Sequence, residues 1–105
     1  MIRKILDIFG LSKPAVDYKE LINNGGIILD VRSKGEFAGG HIKNSVNIPV
    51  ENLSGFLSKL KDKNQPIITC CASGMRSASA KSILKSKGFL QVHNGGAWHK
   101  LQNKL

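Results

Sequence analysis

Apolar residues along the chain gather into short runs separated by polar, glycine-bearing stretches. "IILDV" (27–31) and "PIITCC" (66–71) are near-continuous apolar runs with β-branched residues, the pattern of strands covered on both faces. "SVNIPV" (45–50) reads as a short strand stopped by Pro49, and "LQVHN" (90–94) as another. Helical patterns lie between them. "VDYKELINNGG" predicts a short helix with Asp17 as cap, Glu20 at the fourth position of a capping box and Gly25 past its end. "SKGEFAGG" predicts a second helix capped by Ser33. "ENLSGFLSKL" sets Leu53, Phe56, Leu57 and Leu60 at helical spacing. "SASAKSILKSKG" turns Ala80, Ile83 and Leu84 inward, starts near Ser77 and stops at Gly88, and "AWHKLQNKL" gives a last helix. Strands alternating with helices predict an α/β fold on a parallel sheet, whose ligands bind at the carboxyl ends of the strands.

At 105 residues the chain makes one domain, read as 14–105 behind an N-terminal segment 1–13. No apolar run approaches the ~20 residues of a membrane span. The opening "MIRKILDIFG" is too short and too interrupted by Asp7 for a signal peptide. The expectation is a cytoplasmic protein whose two cysteines are thiols. Sixteen Lys and Arg against seven Asp and Glu give a net charge of +9, which favours anionic partners. The lysines are scattered and no aromatic residues interleave with them, so the expectation is small anions or an acidic protein, with no nucleic acid and no membrane.

Both cysteines stand in "CCASGMRS" (70–77), at the end of a predicted strand. A loop with Ser73 and Gly74 follows and curls into a helix. Such a turn aims several backbone N–H groups at one spot, which then holds an anion. A cysteine sulfur placed there forms its thiolate below the free pKa of ~8.5. Arg76 adds a positive fork at the rim. The pattern supplies a thiolate without a histidine base, suited to a soft electrophile that carries negative charge.

"CASGMRS" resembles the active-site loop of the rhodanese family, the single-domain sulfurtransferases. "LDVRSKGEFAGGHIKNSVNIP" (29–49) and "SKGFLQVHNGGAWHKL" (86–101) resemble its upstream and closing segments, in the right order. The resemblance implies a rhodanese-like fold, a five-stranded parallel sheet flanked by helices on both faces. It implies Cys71 as the catalytic cysteine, with Ala72, Ser73, Gly74, Met75, Arg76 and Ser77 cradling the transferred sulfur. Asp30 and Arg32 match supporting positions, Glu36 and His41 brace the same segment, and Trp98 packs. Cys70 departs from the family, which often has an aromatic or aliphatic residue there. The implied reaction passes sulfane sulfur from an anionic donor such as thiosulfate, through a Cys71 persulfide, to a thiol, cyanide or protein acceptor. It needs no metal and no cofactor.

Blander readings stand beside these. Cys70 suits a small buried hydrophobe. Asp30 and Arg32 suit an ion pair that anchors a strand end. The three histidines lack zinc-ligand spacing with the adjacent cysteines. Two other functions use the same fold. One is a phosphatase or arsenate reductase, whose loop has five residues between cysteine and arginine; here there are four, Ala72 to Met75. The other is a non-catalytic rhodanese-like module that binds or regulates a partner, although such relatives often lose the cysteine kept here.

Overall fold

The computed structural model describes residues 15–105, so the expected N-terminal segment lies outside the described residues. The chain runs α1 (Tyr18–Asn23), β1 (Ile27–Asp30), α2 (Lys34–Ala38), β2 (Val46–Asn47), a 3₁₀ helix (Val50–Lys59), β3 (Ile67–Cys71), α3 (Met75–Ser86), β4 (Val92–Ala97) and α4 (Trp98–Gln102). All strand pairs are parallel, in the order β2-β1-β3-β4. The described residues thus form four strands, not five. Every strand-like apolar run from Ile27 onward is already used in these four.

Local chemistry sets the helix starts. Asp17 accepts a hydrogen bond from the Glu20 N–H at 3.1 Å. Ser33 and Glu36 form a reciprocal capping box, each side chain bonded to the other's backbone N–H. Leu53 and Leu60 are buried as the spacing predicts, but Phe56 is 40% exposed with the Lys59 ammonium 4.9 Å from its ring. The segment winds as 3₁₀, with Ser54 and Gly55, both poor α-helix formers, at its centre. Strand β4 begins later than expected, at Val92, and Leu90 is left exposed.

The sheet carries a core on each face. Leu29, Val31, Ile67 and Cys71 pack with Leu53, Ala80 and Leu84 beneath the 3₁₀ helix and α3. Ile28, Ile68 and Cys70 pack with Ile42 and Leu101 beneath α1 and α4. Neighbouring residues of a strand face opposite sides, so the adjacent cysteines enter different cores.

Candidate active site

The buried strand β3 ends at Cys71, and only Ala72, Ser73 and Gly74 separate it from α3. The helix therefore starts two residues earlier than expected, and Met75 and Arg76 belong to its first turn. Gly74 makes this tight reversal with φ +99°, a left-handed conformation that favours glycine. A Cβ on Gly74 would lie 3.3 Å from the Gly96 Cα, so β4 closes one side of the turn.

The turn converges on the sulfur. The Gly74 N–H points at Cys71 Sγ from 3.0 Å and the Ser77 N–H from 3.4 Å. Both are amides that a helix start leaves without intrahelical partners. Burial acts to raise the Cys71 pKa, but hydrogen bonding at Ser77, Ser73 and Gly74 outweighs it and brings the thiol below its ordinary value. The neighbouring Cys70 goes the other way. Burial, with the Asp30 charge beside it, pushes it up to about 12. The two adjacent thiols are thus shifted in opposite directions.

Cys71 is fully buried. Met75 is 78% exposed and its side chain stays outside the turn. Arg76 does not point its fork at the sulfur. It grips Glu36, Nη1 to Oε1 at 2.7 Å and Nη2 to Oε2 at 2.9 Å. Hydrogen bonds from Arg76 and from Ser33 hold the Glu36 pKa down to about 2. The pair ties α2 to α3 across the mouth of the site.

Asp30 and Arg32 form a buried ion pair at the end of β1, with Nη2–Oδ2 2.6 Å and Nε–Oδ1 2.9 Å. Arg32 also donates to the carbonyls of Glu36 and Gly40 and lies 4.7 Å from the Trp98 ring. This pair anchors the α2 segment rather than reaching the sulfur. His41 stacks on Phe37 and bonds its carbonyl through Nδ1 at 2.8 Å. Among the described residues no cluster of His, Cys, Asp or Glu is placed to hold a metal, and no helix is long and apolar enough to cross a membrane.

Two residues of the site escape sequence reading. Thr69 donates to the Ser77 carbonyl at 2.9 Å and bolts β3 to α3. Asn94, on β4, touches Ser77, Gly74 and Gly96. The signal for Asn94 was its place directly before the Gly-Gly pair, but the pairing with Ser77 spans 17 residues.

A cysteine at the end of a central parallel strand, with its sulfur under a helix start, defines an α/β domain of the cysteine-loop class. Residues 14–102 match the rhodanese-like domain family. A thiosulfate sulfurtransferase GlpE of Ectopseudomonas mendocina is 34% identical over 76 residues, covering 72% of this chain and 69% of that protein. A tRNA uridine(34) hydroxylase of Cytophaga hutchinsonii is 36% identical over 66% of this chain, but the match spans only 24% of that protein. Among solved structures, the human single-domain sulfurtransferase TSTD1 superposes with a TM-score of 0.70 at 25% identity, covering 90% of this chain and 99% of that one. The chain belongs to the rhodanese-like family, with sulfurtransferases among its relatives.

Proposed function

We propose that the protein is a sulfurtransferase that moves sulfane sulfur through a Cys71 persulfide. The observation that carries this reading is the Cys71 sulfur held by the Gly74 and Ser77 amides at the start of α3. The Cys71 thiolate attacks the outer sulfur of thiosulfate, the S–S bond of the donor breaks, and sulfite leaves with the bonding pair. The enzyme then holds Cys71–S–S⁻. Its terminal sulfur carries the charge, and the donors we assign to it are the first-turn amides of Met75 and Arg76, which no helical carbonyl can reach. Cyanide or a thiol takes that sulfur and returns the thiolate. No proton has to be supplied to sulfite, so the absence of a carboxylic acid in the turn does not hinder the step.

The four-residue spacer and the wall at Gly96 support sulfur over phosphate, because a phosphoryl group presents three oxygens and needs a wider ring of donors. The test is the intact mass after thiosulfate treatment, followed by cyanide. The expected result is a gain of one sulfur atom, lost again as thiocyanate. Aryl phosphate hydrolysis without that mass gain would establish the phosphatase reading. Neither activity would leave the binding module.

A further inference from the structure

The Ser77 hydroxyl has a single proton and three acceptors in range. Asn94 Oδ1 lies 2.6 Å away, the Gly74 carbonyl 3.0 Å and Cys71 Sγ 3.5 Å. The shortest contact has the geometry of a strong O–H···O bond, and the sulfur contact is the longest. The orientation of Asn94 is itself fixed. Its Oδ1 accepts the Gly96 N–H at 2.9 Å, so its Nδ2 faces the Gly74 carbonyl at 3.2 Å. With the Ser77 proton given to Asn94, the Ser77 oxygen turns a lone pair toward Cys71. It then accepts the thiol S–H but offers nothing to the thiolate.

We propose that Asn94 is a positioning residue that holds the Ser77 proton away from Cys71, leaving the thiolate to the backbone amides alone. The inference rests on the Cys71 sulfur-transfer reading. Its consequence is a more basic thiolate than the turn could otherwise make. That raises the intrinsic nucleophilicity of the thiolate, which falls as its pKa falls. The Ser77 hydroxyl lowers the Cys71 pKa only if its proton leaves Asn94.

The charged and titratable groups set around the site come from every packed element. They are Arg76 on α3 with Glu36 on α2, and Asp30 with Arg32 at the end of β1. Cys70 on β3, His93 on β4 in electrostatic range of Lys81 and Lys85 of α3, Glu51 and Lys59 at the two ends of the 3₁₀ helix, and His99 and Lys100 on α4 complete the set. None of them is altered by changing Asn94 or Ser77.

The test is the pH midpoint of iodoacetamide alkylation at Cys71, read by peptide mass. Asn94→Ala leaves the Ser77 proton two acceptors, the neutral Gly74 carbonyl and the anionic thiolate; the charge-assisted bond to the thiolate is the stronger, and the midpoint falls by about one pH unit. Asn94→Leu, which keeps the branching at Cγ without the acceptor, gives the same fall. Ser77→Ala alone leaves the midpoint unchanged or slightly lower, and abolishes the effect of either Asn94 variant. A merely structural Asn94 predicts the opposite sign, because a loosened turn withdraws amides and raises the midpoint. An unchanged or raised midpoint in a folded Asn94 variant overturns the inference, as does a raised midpoint in Ser77→Ala, which needs no Asn94 variant to fold. Alkylation does not depend on sulfur transfer. Failure of the wild type to gain sulfur from thiosulfate would therefore sink the functional reading and leave this result to be judged separately.

Discussion

Arg76 and Glu36, 40 residues apart in sequence, meet in a two-pronged ion pair at the mouth of the Cys71 site. The fork that could receive an anionic donor is thus already filled by a carboxylate. Replacing Glu36 with Gln keeps the capping box, which accepts either residue, and removes the competing charge. The expected outcome is a several-fold lower KM for thiosulfate with little change in kcat, by the scale of one exposed charge contact. Arg76→Ala should raise that KM and leave alkylation by neutral iodoacetamide unchanged. Equal losses with both reagents would mean that Arg76 only supports the turn.

The adjacent thiols should separate cleanly. Cys71→Ser abolishes sulfur loading from thiosulfate, while Cys70→Ser retains it. The Cys70 change costs stability, about 1–3 kcal/mol for a hydroxyl placed among Ile28, Ile42, Ile68 and Leu101. Intact mass and thermal melting read the two effects. Loading that follows Cys70 would overturn the site.

The pH dependence has a definite sign. Cys71 is shifted below its ordinary value and Cys70 is raised to about 12. Alkylation should rise through a midpoint below that of a free cysteine and stop at one label per chain until the medium is strongly alkaline. Two labels at pH 9 in folded protein would contradict the buried placement of Cys70.

Gly74→Ala tests the turn. The added methyl meets both a φ of +99° and the Gly96 Cα at 3.3 Å, and strain of this kind costs about 1–3 kcal/mol. The fold should survive with a lowered melting temperature and lose most sulfur loading. Full activity would mean that the turn is not what positions the sulfur.

Asp30 and Arg32 form a pair whose loss should be felt as stability. Asp30→Ala leaves a buried guanidinium without its partner, at a cost of about 3–5 kcal/mol. The melting temperature of Asp30→Ala reads it, and a change under 1 kcal/mol by the same scale would place the pair in the solvent-screened class.

Much of this was legible in one dimension. The runs at Ile27–Asp30 and Ile67–Cys71 have no polar face, so they had to be central strands. The Ser33 cap and the cysteine before a glycine turn are local patterns, and local patterns survive in sequence. What stayed hidden depends on distance. Nothing near Arg76 announces that Glu36 will hold it, and nothing near Ser77 announces Asn94. The 3₁₀ winding of Val50–Lys59 was also hidden, because the apolar spacing of Leu53, Leu57 and Leu60 suits an α-helix equally well.

The close approach of Gly74 to Gly96 has a consequence for redesign. The ring of donors around the sulfur is bounded on one side by the backbone of another strand, so its diameter is not a property of the loop alone. Inserting one residue between Cys71 and Arg76, to copy the spacing of phosphate-handling relatives, would press the enlarged turn against β4 at Gly96. Converting this scaffold to an oxyanion larger than a single sulfur would therefore require two coordinated edits, one in the turn and one in the strand that faces it. A single insertion should yield a protein that handles neither group.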